Sequence, residues 1–249
     1  MFPLDTHAGR GSYDLSSPSA EAAAGVVRFC ETAHTATELR AYAALLARLR
    51  TVLARRHLLP GSPLIAAATL RPQDRAVLNE LLGAETEALN DALAALAAAQ
   101  GDGLRVQVVR GDGFDALRAQ LPPRERRGLT FIDPPYEDSE DFARVQNALA
   151  EGLRRFPTGV LAAWYPIKEE RATNAWLTQC RHALPEAPLL VSELWLYPRD
   201  SRVGLNGSGL LIVNAPWLTF ERMQVWLPEL EKSLAAGAGS GSSVRGLAP

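Results

Sequence analysis

From residue 76 to residue 235, short apolar runs alternate with longer amphipathic stretches, and this alternation constrains the chain more than any other feature. The apolar runs are AVLNEL (76–81), LRVQVV (104–109), GLTFID (128–133), GVLAAWYP (159–166), PLLVSELWLYP (188–198) and SGLLIVNAP (208–216). Between and after them, residues 84–99, 114–121, 138–156, 168–183 and 218–235 have a helical period. FPLD (2–5) reads as one more strand ahead of the series. Strands that alternate with helices pair in parallel, because each crossover helix packs back onto the sheet with a right-handed connection. The expected fold is α/β, built on a mostly parallel seven-stranded sheet.

Residues 19–58 interrupt this pattern. They are rich in Ala, Leu and Arg, and Tyr42, Leu45, Leu46, Leu49, Val52 and Leu53 share one helical face. They read as a helical insertion within a single domain over residues 1–235. Pro60-Gly61-Ser62 punctuates the chain, and Ser62 is expected to cap the helix PLIAAATL that follows. The tail from residue 236 is small and polar, which suits a flexible segment.

The 26 basic and 28 acidic residues leave a net charge of −2, so any nucleic acid must be held by a local patch. Cys30 and Cys180 are far apart and in no CxxC spacing, which argues against a disulfide framework or a thiolate metal site. The sequence has no run of 18 apolar residues and no signal-peptide core, so a cytoplasmic protein is expected. Nothing in it calls for an obligate dimer, and a monomer is expected.

In open α/β sheets, ligands bind outside the carboxyl ends of the strands. Those ends carry Asp5-Thr6-His7, Glu80, Asp112-Gly113 and Asp133-Pro134-Pro135-Tyr136. The last set, DPPY, suits methylation of an exocyclic amino group on a nucleobase. The lone pair of such a nitrogen is delocalised into the ring, and two acceptors aimed at its N–H groups draw it toward tetrahedral geometry. The Asp133 carboxylate and the Pro134 carbonyl supply them, and the prolines fix the backbone that presents the carbonyl. Tyr136 is expected to stack on a base taken out of its helix. The other strand ends suit S-adenosyl-L-methionine. The glycines of AGRG let backbone approach it closely, Glu80 can accept from ribose hydroxyls, and Asp112 can accept from the adenine amino group.

The chain resembles the bacterial 23S rRNA (adenine-N6)-methyltransferases of the RlmJ family. The resemblance rests on LDTHAG (4–9), PGSPLIA (60–66), NEL (79–81), GDGF (111–114), RRGLTFIDPPYE (126–137), AEGLRRFPTG (150–159), WYPIK (164–168) and NGSGLLIVNAPW (206–217). It implies a Rossmann-like methyltransferase fold and N6-methylation of one adenine in 23S rRNA, of the adenine 2030 type. It also implies that Asp133 is the catalytic acceptor, and that His7, Ser62, Glu80, Asp112 and Gly113 contact the cofactor. Members of the family carry a further segment ahead of LDTHAG, like RHxFHAGNxADVLKH, which holds more cofactor contacts and a substrate-side aromatic. This chain starts almost at the first strand, so that segment is expected to be missing from it.

Arg40, Arg48, Arg50, Arg55 and Arg56 fall within residues 40–57 without an acid among them, and Arg124, Arg126 and Arg127 form a second cluster before the DPPY strand. Such clusters suit phosphate contact, and Arg48, Arg55 and Arg56 are the expected grip on RNA. Two other readings remain open at this level: a DNA adenine methyltransferase, and an inactive nucleic-acid-binding or DNA-uptake accessory protein. Cytosine-C5 methylation is disfavoured because neither cysteine follows a proline, and zinc deamination is excluded by the absence of H-x-E and P-C-x-x-C.

Overall fold

The computed structural model describes residues 1–101, 103–199, 201 and 203–248, without the side chain of Glu21. Each apolar run forms a strand and each amphipathic stretch a helix. The elements in order are β1 (Phe2–Asp5), β2 (Ser12–Asp14), α1 (Ala20–Ala22), a π-helical turn (Ala23–Val27), α2 (Arg28–Glu31), α3 (Thr37–Val52), β3 (Leu58–Pro60), α4 (Ser62–Thr69), β4 (Ala76–Glu80), α5 (Gly83–Gln100) and β5 (Val106–Arg110). There follow α6 (Gly113–Gln120), β6 (Gly128–Ile132), α7 (Asp141–Arg155), β7 (Val160–Ile167), α8 (Glu170–Ala183), β8 (Leu189–Trp195), β9 (Gly207–Val213), α9 (Thr219–Leu234) and β10 (Gly241–Gly246).

The main sheet has the order β10-β8-β9-β7-β6-β1-β4-β5. β5, β4, β1, β6 and β7 are parallel, and β9 runs antiparallel between β7 and β8. Both faces are covered. Leu117 of α6, Leu149 of α7 and Leu177 of α8 pack on one face with Leu4, Ile132 and Leu161. Leu64 of α4 and Leu89, Leu93 and Leu96 of α5 pack on the other with Leu78. The result is a three-layer α/β/α sandwich.

Two differences from expectation concern the chain's ends and its insertion. The sheet has eight strands rather than seven, because Gly241–Gly246 of the supposed flexible tail pairs antiparallel with β8. GSSVRG lacks apolar alternation, so its recruitment is tertiary. Arg245 forms an ion pair of 2.7 Å with the fully buried carboxylate of Glu193 on β8, which also accepts from Tyr165 at 3.0 Å. Pro249 lies outside the described residues. The insertion is helical at 20–31 and 37–52, but its return is a strand. β2 and β3 form a two-stranded ribbon that brings the chain out and back at one place. The insertion packs against α9 through Phe29, Leu39, Leu46 and Trp226.

The chain runs from β1 outward to β4 and β5, then returns to place β6 on the other side of β1. This reversal puts the crevice of the sheet between the carboxyl ends of β1 and β6.

Candidate active site

The carboxyl ends of the parallel strands open into a cavity of about 650 Å³. It is lined by His7 and Gly9 after β1, Glu80 of β4, Asp112 and Gly113 after β5, Asp133 and Pro134 after β6, and Trp164 of β7, with Tyr13, Phe114 and Arg144 completing the wall.

At the end of β1, Asp5 is 3% exposed, and burial pushes its carboxyl up to about 6. Its Oδ2 accepts from the Ser62 hydroxyl at 2.6 Å, and its Oδ1 from the His7 amide at 3.3 Å. Thr6 Oγ1 donates to the Phe131 carbonyl at 3.0 Å, so the hydroxyl's one proton is used there. The 2.8 Å contact between Thr6 Oγ1 and His7 Nδ1 then assigns the imidazole proton to Nδ1 and leaves Nε2 an acceptor. Burial pushes this imidazole down to about 4, so it is neutral at pH 7.

At the end of β4, Glu80 is 8% exposed and accepts from the amides of Gly9 and Leu82, each at 2.8 Å. One oxygen serves each amide, so lone pairs remain for a ligand hydroxyl. Gly9 has φ +61, which favours glycine, and a Cβ there would meet the Tyr13 hydroxyl at 2.9 Å. The neighbouring Asn79 donates to the carbonyls of Gly111 at 2.7 Å and Thr6 at 3.3 Å, tying three strand ends together.

At the end of β5, Asp112 caps α6 by accepting from the Phe114 amide at 2.8 Å. Its other oxygen meets Arg144 of α7 at 2.6 Å. Burial opposes ionisation, but these partners hold Asp112 below the usual carboxylate range. The Arg144 guanidinium also lies 4.2 Å over the Phe114 ring. Gly113 is required by close approach, since a Cβ there would stand 2.1 Å from the Thr6 carbonyl oxygen.

At the end of β6, burial and then the charge of Asp5 push Asp133 up to about 7. Among the described residues, no side-chain hydrogen bond occupies Asp133, and Pro134 behind it is buried.

Asp133, Pro134, His7, Glu80, Asp112 and Gly113 are thus gathered around one cavity. Ser62 is not at its wall. It begins α4 rather than capping it, Gly61 being the N-cap residue, and its hydroxyl instead holds Asp5 from behind. Tyr136 also departs from expectation. Its ring is 7% exposed, lies 4.8 Å from Phe142, and its hydroxyl donates to the Trp164 carbonyl. A φ of +53 turns the residue inward, so the rings available at the cavity belong to Tyr13, Phe114 and Trp164. Arg48, Arg55 and Arg56 are exposed outside the cavity, Arg48 donating to the Ala68 carbonyl at 2.8 Å and Arg55 to Ser12 Oγ at 3.0 Å. The cluster at Arg124, Arg126 and Arg127 precedes β6 at its amino end, opposite the cavity. Sequence reasoning did not assign roles to Asp5, Asn79 or Arg144. Asp5 and Asn79 stand inside quoted motifs, but their partners are set by strand order, and nothing local marks Arg144.

The family model for ribosomal RNA large subunit methyltransferase D, RlmJ, matches residues 1–245. The chain belongs to the RlmJ family of methyltransferases. It is 36% identical to ribosomal RNA large subunit methyltransferase J of Haemophilus influenzae, covering 96% of this chain and 84% of the relative. It is 37% identical to the Escherichia coli enzyme of the same name, covering 95% and 83%. The crystal structure of a Legionella pneumophila protein superposes with a TM-score of 0.82 at 30% identity, covering 98% of this chain and 88% of that one. As in this family generally, the methyl donor is S-adenosylmethionine. The cavity fits it. Seven carboxylates line the wall (Glu80, Glu85, Asp112, Asp133, Glu137, Asp138 and Asp141) against one guanidinium, Arg144. That balance suits a donor carrying a sulfonium and an ammonium. Its volume lies within the range of small-molecule sites. Among the described residues, no helix is long and apolar enough to cross a membrane.

Proposed function

We propose that this chain is a cytoplasmic enzyme that methylates N6 of one adenine in 23S rRNA, of the adenine 2030 type, with the base flipped out of its helix into the cavity. The observation that carries the reading is Asp133, whose carboxyl is unbonded among the described residues, beside the buried Pro134 at the crevice of an RlmJ-family fold.

The Asp133 carboxylate and the Pro134 carbonyl accept the two N6–H bonds and so localise the nitrogen lone pair. A carboxyl raised to about 7 is matched to holding the proton that N6 releases on methylation, near neutral pH. Trp164, which lines the cavity, offers a ring for the flipped base. Glu80, Asp112 and the backbone at Gly9 and Gly113 are suited to hold the cofactor, with neutral His7 presenting Nε2 as an acceptor. When bound, S-adenosylmethionine supplies an electrophilic methyl group on sulfur. The rest of the rate comes from orientation by these residues.

The test is methyl transfer from labelled S-adenosylmethionine to deproteinised 23S rRNA lacking the modification, beside single- and double-stranded DNA of the same sequence, followed by nucleoside mass spectrometry. N6-methyladenosine in the rRNA alone is the expected result. Product only in DNA would replace the substrate class.

A further inference from the structure

The acids that suit the cofactor raise a difficulty for the proposed substrate. RNA phosphates approaching a wall of seven carboxylates and one ion-paired guanidinium are repelled unless cations stand nearby. A second cavity of about 540 Å³ adjoins the DPPY segment on its far side, lined by Ser139, Phe142, Pro166, Lys168 and Trp176 among others. Ser139 and Phe142 follow the motif by three and six positions. Pro166 follows Trp164 at an alternate position of β7, so the two share one side of the strand, and Lys168 is the first residue past its end. At about 3.3 Å per residue, Lys168 lies at most roughly 13 Å along the chain from Trp164.

Lys168 is one of two lysines in the sequence, and it is exposed. Among the described residues it has no ion-pair or side-chain hydrogen-bond partner. Arg199, which reaches Glu170 two positions after Lys168, is taken up by Glu170 at 2.8 Å and Glu193 at 3.2 Å. Glu169 also lines this second cavity, but the walls are mainly apolar and aromatic, with Phe142 and Trp176 packed edge to face at 5.4 Å. An ammonium without a partner among the described residues, beside a largely apolar cavity, matches a nucleotide: phosphate outside, base inside.

We infer that this second cavity is an RNA subsite, in which Lys168 takes a backbone phosphate and the half-buried Phe142 ring, backed by the buried Trp176, receives a base flanking the target adenosine. The inference rests on the rRNA reading above and deepens it. WYPIK is then one substrate-side element, with Trp164 at the target base and Lys168 at its neighbour.

The experiment compares wild-type protein with Lys168→Gln, Lys168→Arg and Ala172→Trp, the last filling the cavity from an exposed position of α8. Three quantities are measured: the KM for deproteinised unmodified 23S rRNA, equilibrium binding of that rRNA across salt concentrations, and affinity for S-adenosylhomocysteine. Lys168→Gln is expected to raise KM by roughly 3- to 10-fold and to reduce the log–log salt slope by about 0.7, one single-strand phosphate contact. Lys168→Arg restores both. Ala172→Trp raises KM and leaves the slope unchanged, and none of the three alters cofactor affinity. Wild-type methylation of rRNA with unchanged KM, affinity and slope in both Lys168→Gln and Ala172→Trp would overturn the subsite alone. Absence of rRNA methylation by the wild type would overturn the rRNA reading and the subsite with it.

Discussion

Asp5 and Asp133 stand at the carboxyl ends of neighbouring parallel strands, and the charge of Asp5 adds to burial in pushing Asp133 up to about 7. The proposed acceptor for N6 is therefore tuned by a second carboxylate that also takes the Ser62 hydroxyl. If ionised Asp133 accepts the N–H bonds, kcat/KM rises with pH and levels off above about 7. Asp5→Asn removes the neighbouring charge, so the inflection moves to lower pH. A pH–rate profile of both proteins checks this, and an unmoved inflection would separate Asp5 from the acceptor.

The same shift has a stability consequence of defined sign. A carboxyl whose folded value is raised favours the native state most when protonated, below its unfolded value near 4, and that contribution is lost as pH rises through about 7. Asp133→Asn, which cannot ionise, should therefore match the wild type at pH 4 and exceed it at pH 8 by on the order of 1–3 kcal/mol. Urea unfolding at the two pH values measures the difference.

Tyr136 and Trp164 should separate cleanly. Tyr136→Phe leaves the Trp164 carbonyl without its donor and costs about 1–2 kcal/mol of stability. The KM for RNA should change little, because the ring lies in the core. Trp164→Ala should raise that KM about tenfold or more, the worth of one base stack. Thermal melts beside steady-state kinetics would show which residue carries which effect.

Gly113→Ala is expected to be severe for a chain of this size. A Cβ 2.1 Å from the Thr6 carbonyl forces β1 and α6 apart, at a cost of about 2 kcal/mol or more. Because the same two segments carry His7 and Asp112, affinity for S-adenosylhomocysteine should fall together with the melting temperature. Calorimetry on the folded fraction tests the second part.

How legible these features were in the sequence depended on how far each residue's surroundings are local. The strands at 76–80, 128–132 and 160–167 were readable because each is an apolar run whose burial follows from its own composition. DPPY and the acids at the strand ends were readable because strand order converts sequence position into proximity. β10 was not, since GSSVRG becomes a strand only through β8 and the Arg245–Glu193 pair. β2 and β3, each of three residues, are too short to show a period. The direction of the Tyr136 ring follows from one positive φ, and the Ser62 hydroxyl follows Asp5 across 57 positions of chain. Neither is written in a motif's letters.

The most direct measurement is single-turnover formation of N6-methyladenosine on unmodified 23S rRNA, with saturating S-adenosylmethionine, by the wild type and by Asp133→Ala. The expected result is product from the wild type and a rate at least 10²-fold lower in the variant, in the range of a lost general acid–base group. An Asp133→Ala protein that binds rRNA and methylates it at the wild-type rate would contradict the assignment of Asp133 as the acceptor.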